Sequence, residues 1–284
     1  MARGSIVLKS DRDIAGIRNA AVVVEQALAA AAALVRPGTP TIELDRAAEA
    51  VIREAGGRPC FKGYRMDDEG EPFPGVLCIS VNDVVVHGFP SEYRLQDGDV
   101  VTLDCGVELD GYFGDFAYTF AVGDVDPKTR ALIDATRQSL FEGIKVAIAG
   151  NRTGDIGHAV QRYCESRGYG VVRDLVGHGV GIALHEPPNV PNTGRRGFGT
   201  KLKPGMTLCI EPMINGGTGE VVMDDDGWTV RTGDGLPSAH FEHMVLVHKG
   251  RAEILSSWTA VEEAYARAQG DAARSSVSDP SFAL

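Results

Sequence analysis

Four acidic residues sit in runs that otherwise read as apolar strands. Asp104 lies in Val100-Val-Thr-Leu-Asp-Cys, and Asp115 stands before Phe-Ala-Tyr. Glu211 ends Met206-Thr-Leu-Cys-Ile-Glu, and Glu242 follows Phe241 in Phe-Glu-His-Met-Val-Leu. A carboxylate among apolar residues is costly unless its charge is balanced. Taken singly, Glu211 and Glu242 each read equally well as the solvent-facing residue of an alternating strand. Together the four acids would repel one another and raise their pKa values, and two divalent cations would offset their charge. The first two can be placed relative to each other. Asp110-Gly111, between two apolar-rich runs, marks a two-residue hairpin turn. Register through that turn sets Gly106 opposite Asp115 and puts Asp104 diagonal to it on the same face. Such neighbours lie roughly 7–8 Å apart, within reach of a metal pair spaced roughly 3.5–4 Å. The plainer alternative is the exposed face of an edge hairpin.

Nitrogen donors are also present. Gly177-His178-Gly179-Val-Gly181-x-x-x-His185 carries two histidines in one glycine-rich stretch. Strand alternation would put them on opposite faces. Both reach one site only if the chain bends at the glycines, which allow close backbone approach. His87, between Val84-Val-Val and Gly88, is a third candidate. His158, His240, His243 and His248 have no such context and read as structural or exposed. The chain has no H-E-x-x-H, nucleophile elbow, phosphate-binding loop or dinucleotide fingerprint.

These residues need a scaffold, and the composition is that of a soluble globular protein: 284 residues, 43% hydrophobic and 24% charged. At ~100–200 residues per domain this is one large domain or two modest ones. A net charge of −11 argues against a nucleic-acid footprint or an anionic membrane surface. No apolar run is expected to reach the ~20 residues of a membrane span, and the first residues show no signal-peptide core. Five cysteines without C-x-x-C spacing suggest reduced thiols and a cytoplasmic location.

Helical periodicity predicts helices over 10–36, 42–55, 126–149 and 153–167, with apolar strand-like runs after each pair. Ser10 with Asp13 should cap the first, whose apolar face takes in Ile14, Ile17, Val22, Leu28 and Leu34. Thr41 should cap the second. The two helix-pair junctions align: Gly38, Thr41, Leu44, Ala47 and Gly56 match Gly150, Thr153, Ile156, Ala159 and Gly168. The repeat implies two similar halves of an α+β fold, with helices on one face of a sheet. Residues 1–256 are expected to form the catalytic domain. Residues 257–284 are expected to form a partly disordered tail with a helix over 259–268.

The ordered set of Asp104 with Asp115, His178 in Gly-His-Gly-Val-Gly-x-x-x-His, Glu211-Pro and Glu242-His resembles the signature of the methionine aminopeptidases. The likeness is nearest to the bacterial type I form and covers about residues 8–255. Cys78-Ile-Ser-Val-Asn-Asp-Val-Val-Val-His87-Gly and Gly227-Trp228-Thr-Val strengthen it. The resemblance implies the pita-bread fold: two pseudo-twofold-related halves, with a curved antiparallel sheet covered by helices on one face. It implies a cytoplasmic monomer that removes the N-terminal methionine from nascent chains when the second residue is small. Asp104, Asp115, His178, Glu211 and Glu242 would hold two divalent metals (cobalt, manganese or iron(II)), with Asp115 and Glu242 bridging. Glu211 would also shuttle the proton, His185 would stabilise the oxyanion, and His87 would bond the scissile peptide or its departing nitrogen. Cys60, Tyr64, Cys78 and Trp228 match residues of the family's methionine pocket.

The sequence departs from that family in places. Leu184 stands where the pocket usually has phenylalanine, and Leu175 replaces an aromatic residue or methionine. The 65–75 segment, with Asp67-Asp-Glu-Gly-Glu71, is longer and more acidic than usual. A lysine-rich loop of the bacterial enzymes is thought to dock on ribosomal RNA. The corresponding stretch here, 215–235, holds five acids and one base, Arg231, so ribosome contact through it should be weak. No DNA or membrane partner is expected. The alternatives are a pita-bread peptidase acting at proline, which usually carries an extra N-terminal domain, and a non-catalytic homologue, which would lack metal ligands.

Overall fold

The computed structural model describes residues 5–65 and 70–277. Helix α1 (Asp11–Ala32) opens on the capping box read from the sequence. Ser10 Oγ accepts from the Asp13 N–H, and the Asp13 carboxylate accepts from the Ser10 N–H. It stops at Ala32, short of Pro37. Ile17, Val24 and Leu28 are buried, but Val22, assigned to the apolar face, is half exposed. One expectation needs correcting: α1 is long and apolar enough to cross a membrane, with a mean hydropathy of 1.3. That apolarity follows from its packing, because α1 lies against α2 (Thr41–Glu54) and a strand hairpin. Thr41 does not cap α2. Pro40 takes the cap position, and Thr41 Oγ1 instead donates to the Ser91 carbonyl and accepts from its N–H.

The first half continues with β1 (Arg58–Pro59), β2 (Leu77–Val81), β3 (Val84–Val86), β4 (Val100–Leu109) and β5 (Tyr112–Ala121). Strand β4 is central, pairing antiparallel with β5 on one edge and with β1 and β2 on the other. The hairpin register is the one read from Asp110-Gly111: Leu109 pairs with Tyr112, and Gly106 with Asp115. Both turn residues have positive φ, 52° and 81°, as a type I′ turn requires. Gly114 lets α1 close on β5, since a Cβ there would stand 2.7 Å from the backbone of Ala20 and Ala21.

The second half repeats the order. Helices α3 (Pro127–Val146), capped by Asp126, and α4 (Thr153–Glu165) precede β6 (Gly170–Val171), β7 (Val176–Gly179), β8 (Glu186–Pro191), β9 (Thr207–Ile210) and β10 (Met213–Asn215). Then follow β11 (Val221–Met223), β12 (Val230–Thr232), β13 (Ser238–His240), β14 (His243–Val247) and β15 (Ala252–Ile254). The larger sheet here runs β15-β14-β9-β7-β8, and smaller sheets run β13-β10-β6 and β11-β12-β3. The last joins the halves through β3. The matched glycines at the helix-pair junctions, Gly38 with Gly150 and Gly56 with Gly168, all have positive φ, so the repeat marks equivalent turns. Arg231, the one base of the 215–235 stretch, is paired with Asp83 and Asp224.

A single apolar core spans both halves, from Leu28, Leu103 and Phe116 to Ile210, Phe241 and Met244. Helix α5 (Thr259–Val277) belongs to it and runs past the expected end at 268. Trp258, just before α5, stacks on His243 at 3.7 Å between centroids and meets Tyr118 and Phe241 edge-on. Past the expected boundary at 256, Trp258, Val261 and Ala264 are buried in this core. Residues 278–284 of the expected tail lie outside the described residues, as do the acids at 67–69.

Trp258→Ala should lower stability by about 3–5 kcal/mol, the usual cost of emptying a buried aromatic site. The urea midpoint measures this, and a change below about 1 kcal/mol would mean that the core does not depend on this junction.

Candidate metal centre

Five elements bring the predicted acids and His178 to one cavity of about 380 Å³. Strands β4 and β5 supply Asp104 and Asp115 on one face of the hairpin, diagonal to each other as expected. Glu211 follows β9, Glu242 lies between β13 and β14, and His178 sits in β7. The backbone around them is tied down. The Glu242 N–H donates to the Ala117 carbonyl at 3.1 Å, and the Asn192 side chain donates to the Glu211 carbonyl at 3.0 Å. The bend required between the two histidines is present. Strand β7 shifts register between Gly177 and Gly179, and Gly181 takes a φ of 129°. His178 and His185 consequently meet edge-to-face, 4.4 Å between ring centroids.

The electrostatics follow from burial. Desolvation lifts Asp104 to about 7. Asp115 is pushed well up by burial and then by Glu242 and Asp104. Burial also raises Glu211, with Asp115 and Asp104 adding to it, and raises Glu242, with Glu211 and Asp104 adding. His178 falls to about 3, chiefly by desolvation, so its ring is neutral. Its Nδ1–H donates to the Gly179 carbonyl at 2.9 Å, which leaves the Nε2 lone pair facing the acids. That nitrogen is 3.7 Å from Asp115 Oδ2 and 3.5 Å from Glu211 Oε1, too far for hydrogen bonds.

Asp104 Oδ1, Asp115 Oδ1 and Glu242 Oε1 are buried with no hydrogen-bond partner. Donor atoms from Asp115, His178, Cys209 and Glu242 lie within 4.8 Å of one another. Oxygen and nitrogen lone pairs thus converge on a shared space. That arrangement fits divalent cations, with imidazole orientation fixed by the outer hydrogen bond.

The other predicted residues divide between the cavity and its surroundings. His87 lines the cavity with a φ of 59° and meets the Trp228 ring edge-on; burial lowers it to about 4. Tyr64, Cys78, Leu175, Leu184, His185 and Trp228 also line it. Tyr64 stands edge-on to both His185 and Trp228, at 5.9 and 6.3 Å. Cys60 does not line the cavity; it is buried beside Gly106, with its N–H bonded to the Gly106 carbonyl. Phe61 and Phe73 complete an aromatic wall that no sequence signal marks, since they come from an irregular loop.

Two residues passed over in the sequence reach the site. His240 is buried in the cavity wall, its Nε2 3.6 Å from Glu211 Oε2, and Cys209 joins the ligand cluster. His240, expected to be structural or exposed, is buried and lines the cavity. Each precedes a predicted ligand by two positions, so strand alternation would have put it on the same face.

The profile of metallopeptidase family M24 matches residues 15–249. A methionine aminopeptidase of Clostridium perfringens is 47% identical over 251 residues, covering 88% of this chain and 98% of that protein. The crystal structure of methionine aminopeptidase from Thermotoga maritima superposes with a TM-score of 0.85 at 38% identity, covering 89% of this chain and 100% of that one. The prolidase of Pyrococcus furiosus, at 22% identity and a TM-score of 0.70 over 88% of this chain and 65% of that one, shares the fold. With the paired halves and the buried acid cage, these likenesses show that the chain belongs to metallopeptidase family M24 and, within it, to the methionine aminopeptidases.

Proposed function

We propose that this chain hydrolyses the N-terminal methionine from peptides and nascent proteins whose second residue is small. The observation that carries this reading is one cavity with two unlike ends. One end is a cage of acids with orphaned oxygens; the other is a wall of aromatic and sulfur side chains. Asp104, Asp115, His178, Glu211 and Glu242 would hold two divalent cations. Their oxygen-rich set suits manganese, iron(II) or cobalt. When bound, such a pair makes water acidic and polarises a carbonyl.

The chain's own groups supply the rest. Glu211, made more basic by its buried, acid-flanked setting, accepts the proton of the attacking water. His185, lying edge-on to His178, donates a hydrogen bond to the carbonyl oxygen as charge develops there. His87 donates to the scissile peptide or the departing nitrogen. Tyr64, Cys78, Leu184 and Trp228 receive the methionine side chain, whose thioether favours polarizable and aromatic walls. Cys60 supports this wall from behind. A free α-amine can meet the acid cage, which selects chain ends over internal peptides.

Three measurements test this reading. Met-Ala-Ser should be cleaved with a kcat/KM at least about 100-fold above that for Met-Leu-Ser, and comparable values would contradict the specificity. His185→Ala should lower kcat by about 10²–10³ with KM nearly unchanged, the loss of one oxyanion donor; a change in KM alone would make it a substrate-binding residue. Metal loading must also displace protons. Asp104, raised to about 7, stays partly protonated at neutral pH in the metal-free protein, and burial disfavours the charged form of Asp115 as well. Manganese binding at pH ~7 should therefore release protons and tighten as pH rises. Calorimetry in buffers of different ionisation heat reads this directly, and a buffer-independent heat would contradict it.

A further inference from the structure

His240 takes no part in the chemistry above, yet its position is tightly imposed. Its backbone N–H donates to Thr119 Oγ1 at 3.0 Å, and its carbonyl accepts from the same hydroxyl at 2.6 Å. Across the strand pair it faces Met213, another cavity residue. The backbone is thus clamped while the ring is left without partners. The residue is 1% exposed, and neither ring nitrogen has a hydrogen-bond partner. A neutral imidazole has one N–H to donate, and burying it unpaired is costly. Glu211 faces it: His240 Nε2 is 3.6 Å from Oε2, while Oε1 faces His178 Nε2 at 3.5 Å. Each oxygen of this carboxylate therefore faces a different imidazole. A shift of about half an ångström would bring His240 to hydrogen-bond distance, and such contacts commonly tighten when a site is loaded.

We propose that His240 is a positioning residue for Glu211, donating its Nε2–H to Oε2 and so fixing the carboxylate plane while Oε1 stays beside His178. The proposal rests on the role given to Glu211 under the proposed function. A carboxylate free to turn presents two equivalent oxygens. The His240 hydrogen bond makes them unequal, keeping one beside His178 and biasing the other toward a fixed proton-accepting orientation. This acts on the chemical step rather than on substrate capture.

The test compares His240→Leu and His240→Gln with the unchanged chain. Both kcat and KM are measured on Met-Ala-Ser, and manganese(II) affinity by calorimetry. Leucine fills a similar space without a donor, whereas glutamine restores an N–H at similar reach. His240→Leu should lower kcat about 10–100-fold and weaken manganese(II) binding about 10-fold, with KM within about twofold. His240→Gln should recover most of both losses. Unchanged kcat and metal affinity in His240→Leu would overturn the proposal. So would a change confined to KM, which would make His240 a substrate contact. A His240→Gln variant as impaired as His240→Leu would also overturn it, since a donor alone would not suffice. If the unchanged chain cleaves neither tripeptide, the aminopeptidase reading fails, while the manganese(II) series still decides whether His240 holds Glu211.

Discussion

Four carboxyl groups held in one buried cavity dominate this structure. Desolvation opposes the charge of all four, and repulsion among them adds to this at Asp115, Glu211 and Glu242, so uncompensated negative charge is disfavoured there. Such an assembly persists only if the surrounding fold fixes it and if a cation or a proton balances it. Much of the architecture serves the first condition. Asp104 and Asp115 share the longest strand ladder in the molecule, ten residue pairs from Val100–Ala121 to Leu109–Tyr112. Glu242 is tied to that ladder through Ala117, and the Asn192 side chain, just past β8, holds the Glu211 carbonyl.

Elements far from the cavity brace those strands. Helix α1 lies on β5 at Gly114, where a side chain would collide with helix backbone. Trp258 leads into α5 and stacks on His243, the residue after Glu242. Ser256 accepts from the Met244 N–H and bonds His243 Nδ1. The C-terminal segment therefore secures the strand that presents an acid to the cavity. Its buried residues Trp258, Val261 and Ala264 are part of the core.

The same cavity joins two physically distinct regions. Around the acids, polar atoms lie buried without partners. Around Trp228, rings meet edge-on: Phe73 at 5.3 Å, Tyr64 at 6.3 Å and His87 at 6.1 Å. Edge-to-face contacts give a firm wall without charge. The proposed cleavage next to methionine would use both regions side by side, one to activate water and the other to hold a thioether.

Features governed by near neighbours in the chain were legible in the sequence. The Ser10–Asp13 cap, the Asp110-Gly111 register and the diagonal pairing of Asp104 with Asp115 follow from turn and strand geometry over a few residues. The buried acids showed themselves through the apolar residues around them, and the bend between His178 and His185 through its glycines. Tertiary structure decided what depends on distant packing. It turned Val22 to solvent, gave Thr41 to Ser91 rather than to a helix end, moved Cys60 behind the cavity wall, and drew α5 into the core. It also brought His240 and Phe73 to the cavity. Each of these outcomes depends on which element from elsewhere in the chain lies opposite, and local periodicity carries no information about that neighbour.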